Sequence, residues 1–174
     1  RITTAFTTVP HTHLLSNGRF ATMLTPAVSG YSRWGNFAVT RWREDATCDN
    51  SGSYIFLRDL QGGQPWSAGF RPTGVEPYPY DVVFNEDRAE FVRHDGSLTT
   101  TMEVVVSTED DAEVRRISVS NSGGRTREIE ITSYAALALG PQADDVAHPA
   151  FAKMFVHTEY LTDLGAIAAP PRRR

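Results

Sequence analysis

The chain has 174 residues, 40% hydrophobic and 22% charged, with a net charge of −4 at pH 7. That length suits one ordinary domain, which can bury about 70% of its extended surface without staples, and the single cysteine, Cys48, excludes an internal disulfide framework. The acidic balance argues against a nucleic-acid partner, which wants a basic face, and no apolar run reaches the ~20 residues of a membrane-spanning helix.

In chain order the pattern is strands and turns. Residues 19–25 (RFATMLT) alternate, with Phe20, Thr22 and Leu24 on one side, and Asn17-Gly18 just ahead is a hairpin-turn signal. Residues 53–59 (SYIFLRD) are rich in aromatic and β-branched side chains, and Gly62-Gly63 turn the chain after them. Residues 65–79 hold four of the ten prolines, so they read as a loop with at most a short edge strand. Residues 98–107 predict a long strand with Leu98, Thr100, Met102, Val104 and Val106 on one face.

Residues 112–121 predict the next strand. Val114 falls on the even side and Ile117 and Val119 on the odd side, which predicts a bulge near Arg115-Arg116. Residues 121–125 (NSGGR) form a turn. Residues 126–139 then read as one strand, with Glu128, Glu130 and Thr132 outward and Ile129, Ile131, Ala135, Leu137 and Leu139 inward, as in an antiparallel sheet with one wet face. Residues 144–153 are the only helix-like stretch, interrupted by Pro149, and residues 155–161 predict a further strand. Many strands joined by hairpins predict an all-β fold, a two-sheet antiparallel sandwich.

The densest chemistry lies in residues 31–59. Arg33, Arg41, Arg43 and Arg58 stand there with Glu44, Asp45, Asp49 and Asp59, and Trp34, Trp42 and Tyr54 are interleaved. Sugar recognition uses this mixture: the C–H face of a pyranose stacks on a ring, and its hydroxyls need fixed donors and acceptors. The same residues also suit an Arg–carboxylate network that positions a loop or a domain interface. Glu44, Asp45 and Asp49 could in principle supply a glycosidase carboxylate pair, but nothing in their spacing selects one, and a solvated acidic loop accounts for them. His11 and His13 could form half a metal site, but no cluster of further ligands accompanies them, so no metal is expected.

Several short motifs stand in one order: LSNGRF at 15–20, GYSRW at 30–34, TRWRED at 40–45, Asp49, YIFLRD at 54–59 and WS at 66–67. AEVRRISVSN at 112–121, EITSY at 130–134 and AHPAF at 147–151 continue the series. In that order they resemble the N-terminal β-domain of the inverting glycoside phosphorylases, cellobiose and chitobiose phosphorylases, and most of all the phosphorylase-like part of cyclic β-1,2-glucan synthase. The resemblance implies a galactose-mutarotase-like supersandwich over residues 14–169, with 1–13 as an N-terminal extension and 170–174 as a disordered tail. It implies that catalysis belongs to an (α/α) helical barrel in the same polypeptide, so no residue here is expected to be catalytic and no cofactor is implied.

The family's sandwich is longer than this chain, so either the sandwich is truncated here or the protein carries a shortened version; a truncated sheet exposes an edge that invites a second copy. The missing initiator Met and the PPRRR ending fit a piece of a longer protein. The implied setting is cytoplasmic, within a larger inner-membrane protein.

Three readings of function follow. The first is a carbohydrate-binding or supporting domain of a β-glucan enzyme, with Trp34, Arg41, Trp42, Arg43, Glu44, Asp45 and Asp49 facing β-glucan or the barrel. The second is a structural interdomain or oligomerisation module that binds no sugar. The third, a stand-alone mutarotase-like enzyme, would need a carboxylate and a histidine paired in the cleft, with His94 and His148 as its histidines.

Overall fold

The computed structural model describes residues 1–43, 50–154 and 156–170. Its strands, in chain order, are β1 (His13–Ser16), β2 (Phe20–Leu24), β3 (Gly30–Trp34), β4 (Phe37–Thr40), β5 (Ser53–Asp59), β6 (Trp66–Ser67) and β7 (Tyr80–Phe84). After these come β8 (Ala89–Asp95), β9 (Leu98–Val106), β10 (Glu113–Asn121), β11 (Ile129–Ala135) and β12 (Leu137–Pro141). Two short helices, α1 (Gln142–Ala147) and α2 (Pro149–Lys153), precede β13 (Glu159–Leu161) and β14 (Ala166–Ala168).

All pairings between strands are antiparallel. They form sheets of five (β1-β2-β3-β4-β12), four (β10-β9-β8-β7), three (β11-β5-β6) and two strands (β13-β14). The all-β sandwich expected from the sequence is therefore present.

The core lies between two layers. From the four-stranded sheet, Tyr80, Val82, Phe91, Leu98, Met102 and Val104 point inward. Opposite them lie Leu15 and Leu24 of the five-stranded sheet and Leu57 and Trp66 of the three-stranded sheet. The alternation read for β9 holds: Leu98, Thr100, Met102 and Val104 are all buried, and Val106 at the strand end is partly buried against the core.

The Asn17-Gly18 turn closes the β1–β2 hairpin. Asn17 Oδ1 accepts from the amides of Arg19 and Phe20 at 3.0 and 2.8 Å, and Gly18 takes φ 91°, a conformation that suits a residue without Cβ. The loop from β2 to β3 is less ordinary. Val28 sits at φ 73°, a strained value for a β-branched residue, yet it is buried. It is seated against Gly69, where an added Cβ would lie 2.0 Å from Val28 Cγ2.

The 65–79 segment contains only β6 as strand, as its prolines predicted. What fixes it is Arg93 on β8, which is fully buried. Its guanidinium binds both oxygens of Asp95 at 2.7 and 2.5 Å and donates to the carbonyls of Ser67 and Gly69 at 2.9 and 2.5 Å. The charge is paired and the carbonyls are satisfied, which makes the burial tolerable.

Three expectations need correction. No bulge interrupts β10. Its register against β9 runs unbroken from Glu113↔Val106 to Asn121↔Leu98. The parity does not change, because the inward face carries Glu113 and Arg115 while Val114 is 51% exposed. Residues 126–139 are not one strand. The chain changes sheets at Ala136, β11 pairing with β5 and β12 with β4, and Ile131 is 53% exposed. Of residues 155–161 only Glu159–Leu161 is strand, and Phe155 lies outside the described residues. The weak helix reading at 144–153 resolves as α1 and α2, with Pro149 opening the second, where its missing N–H costs nothing.

Candidate functional site

The β3–β4 hairpin turns through Gly35-Asn36, with Trp34 opposite Phe37 and Arg33 opposite Ala38. Gly35 takes φ 54°, as such a tight turn requires. Alternation along β3 then divides its side chains. Ser32 and Trp34 face the four-stranded layer, and Tyr31 and Arg33 face the other way.

On the Tyr31 side, β12 pairs with β4 through a register shift between Leu137 and Gly140, and Leu139 takes φ 51° there. The shift carries the chain past Pro141 into α1, so that Asp145 returns to the strand end after β4. Asp145 is 3% exposed. Arg41 holds it through Nε at 3.1 and 3.0 Å and through a terminal nitrogen at 2.5 Å. Arg43 reaches the same carboxylate at 2.9 Å and donates to the Asp145 carbonyl at 2.7 Å. Burial pushes the Asp145 carboxyl up, but hydrogen bonds and charge from Arg41, then Arg43, outweigh it and hold the group below the usual carboxylate range. Hydrogen bonding to Asp145 in turn raises Arg41. A carboxylate held ionised in this way is a positioning group rather than a proton donor at neutral pH.

Beside this clamp lies a cavity of about 320 Å³, lined by Tyr31, Arg33, Asn36, Trp42, Gln142 and Asp145 among others. Trp42 stands edge-on to Tyr31 with ring centroids 5.7 Å apart, and the Arg33 guanidinium lies 5.9 Å from the Tyr31 centroid. Two aromatic rings, an amide pair and an arginine therefore line one concave surface that mixes apolar and hydrogen-bonding groups.

Of the residues selected from sequence, Arg41, Trp42 and Arg43 come together here. Trp34 does not join them, because alternation sends it to the opposite face, where its Nε1 donates to Asp111 Oδ2 at 2.7 Å. Glu44, Asp45 and Asp49 lie outside the described residues. Sequence reasoning missed Asp145. It stands 104 positions from Arg41, and its neighbour Asp144 looks the same in sequence.

A second polar cluster, also missed, ties the two layers together. Glu113 Oε2 accepts from Thr22 Oγ1 at 2.6 Å and Ser32 Oγ at 2.5 Å, while Oε1 pairs with Arg115. Arg115 in turn donates to the Ser53 carbonyl. Burial raises the Glu113 carboxyl, but the Arg115 charge and the two hydroxyls prevail and hold it low.

Three of the histidines weighed from the sequence lie apart from the cavity beside Trp42. His13 stacks on Phe84 at 4.7 Å, His94 Nδ1 lies 3.0 Å from Thr99 Oγ1, and His148 follows α1. Among the described residues no three His, Cys, Asp or Glu side chains gather as a metal would need, and no helix is long and apolar enough to cross a membrane.

The layered antiparallel strands define a β-sandwich domain with a cavity at the strand end after β4. Residues 1–174 match the family of the glycosyl hydrolase 94 supersandwich domain, and the chain belongs to it. It is 45% identical over 148 residues to the cyclic beta-(1,2)-glucan synthase NdvB of Rhizobium meliloti (strain 1021), covering 85% of this chain and 5% of that protein. It is 26% identical over 156 residues to the N,N'-diacetylchitobiose phosphorylase of Vibrio furnissii, covering 87% of this chain and 20% of that one. A solabiose phosphorylase of Paenibacillus borealis is 23% identical over 116 residues, covering 67% of this chain and 15% of that enzyme. The chain thus spans a fifth or less of the length of these relatives.

Proposed function

We propose that this chain is the non-catalytic sandwich domain of a β-glucan phosphorylase or cyclic β-1,2-glucan synthase, and that it binds β-glucan in the cavity beside Trp42. The observation that carries the reading is the Tyr31–Trp42 ring pair set against a carboxylate clamped by Arg41 and Arg43. Bond cleavage belongs to an (α/α) barrel elsewhere in the polypeptide, and the whole works in the cytoplasm as part of a larger inner-membrane protein. Calorimetric titration of the chain with linear β-1,2-glucan tests the sugar reading. Saturable heat that Trp42→Ala removes supports it; no heat at millimolar glucan, or heat unchanged by that substitution, refutes it.

A second reading has its own support. Val146 on α1, Phe151 on α2, Met154, Tyr160 and Ile167 are exposed apolar side chains along the C-terminal third, and such side chains gain by packing against another domain. In that reading the domain buttresses the barrel. Association with the barrel added in trans, without sugar binding, would select it.

A further inference from the structure

The cavity beside Trp42 reaches the β3–β4 hairpin. Gly35, Asn36 and Pro141 line its rim. The same three residues line a second cavity, of about 470 Å³, on the other side of the hairpin, together with Arg19, Trp34 and Phe37. The two hollows therefore share the turn as a common wall. At the crossing, a Cβ added to Gly35 would find nothing within 4 Å, so the surface there is open.

Trp34 is fixed before any ligand arrives. Its indole N–H is taken by Asp111, and Arg19 Nε pairs with the other Asp111 oxygen at 3.1 Å. Asn17 anchors the loop that carries Asp111, its amide lying 3.0 Å from the carbonyls of both Ser107 and Asp110. Even so, Trp34 is 52% exposed. With its hydrogen bond satisfied and its ring held, what it offers a ligand is an aromatic face. Little side-chain entropy then remains to be lost on binding. Arg19 and Asn36 at the edge supply polar groups for hydroxyls. A wholly apolar occupant would leave those groups desolvated, whereas a sugar ring uses both kinds of surface.

We infer that the two cavities form one path for a β-linked glucan oligomer, with one glucose unit against Trp42 and Tyr31, another stacked on Trp34, and the chain crossing over Gly35-Asn36. This rests on the sugar-binding reading above and adds its ligand length and second platform.

The test is titration of the full chain with glucose and with linear β-1,2-linked oligomers of increasing length. Affinity is expected to rise by about tenfold once the oligomer spans both cavities, the gain of one further ring contact. Trp34→Ala should abolish that rise, and Trp34→Phe, which keeps a ring, should restore part of it. Trp42→Ala should weaken every length. If affinity does not grow with length, or still grows in Trp34→Ala, the joined path is overturned while binding at Trp42 stands. If no length binds, both readings fall.

Discussion

Replacing Glu113 by glutamine removes a charge but almost no volume, so it isolates the electrostatic part of the staple between the layers. The carboxylate side chain is 12% exposed and its partner Arg115 is 10% exposed. Thr22 and Ser32 donate to one oxygen, and Arg115 occupies the other. An amide cannot serve both sets. If its oxygen keeps the hydroxyls, its NH2 faces the Arg115 donor; if it flips, the hydroxyls must reverse and Arg115 still loses its counter-ion. Stranding a buried partner costs about 3–5 kcal/mol. At roughly 2–4 °C per kcal/mol for a chain of this size, we expect the melting temperature at pH 7 to fall by at least about 6 °C.

The pH dependence supplies a second check. Because the folded carboxyl is held below its unfolded value, its contribution is full above the unfolded pKa of about 4.3 and is lost as pH falls through the folded value. The gap between the parent and Glu113→Gln should therefore close on acidification. Urea unfolding at a series of pH values from 7 to 3 measures it. Removing both charges, with Glu113→Leu and Arg115→Met, should recover part of the loss, the remainder being the partners taken from Thr22, Ser32 and the Ser53 carbonyl. A glutamine variant within 0.5 kcal/mol of the parent at pH 7, or a gap that does not change with pH, would refute the reasoning.

Asp145→Asn should loosen α1 from the strand end at Arg41, costing about 2–3 kcal/mol and speeding amide exchange across residues 142–147. The parent should show the same loosening as pH falls below the ordinary aspartate range near 3.9, since Asp145 is held low in the fold. Arg93→Met takes the guanidinium from the Ser67 and Gly69 carbonyls and leaves Asp95 without its counter-ion, so stability should drop by about 2 kcal/mol or more, with faster exchange confined at first to residues 66–79. Gly69→Ala should cost about 1–3 kcal/mol by overpacking Val28, and Val28→Gly in the same chain should recover part of it by clearing the methyls and relaxing a left-handed residue. Chemical denaturation of the single and double variants measures the recovery.

Much of the fold was legible in the residues. β5 carries the boundaries read from its aromatic and β-branched run, and β9 buries the face its period of two marks. The Asn17-Gly18 turn and the proline-rich loop were equally plain, since turn chemistry acts over two or three residues. The misreading of β10 is instructive. Two charged residues occupy inward positions, so the parity rule sought an apolar face and found a bulge instead. Those charges are stable inside because Thr22, Ser32 and the Ser53 carbonyl, from three other strands, meet them.

The candidate site divides along the same line. Arg41, Trp42 and Arg43 were visible as a cluster because they are neighbours in the chain. That Trp34 lies on the other face followed from alternation once the hairpin was placed, and Asp111 and Asp145 are drawn in from 77 and 104 residues away. The sequence by itself determined several of the strands, the turn chemistry and, through ordered motifs, the family. Only the tertiary structure decided which charges pair, that residues 126–139 switch sheets, and that two hollows share Gly35-Asn36 as lining. Strand formation and turns are set by neighbours a few residues apart, whereas ion pairs and cavities need partners that only folding brings within 3 Å or so.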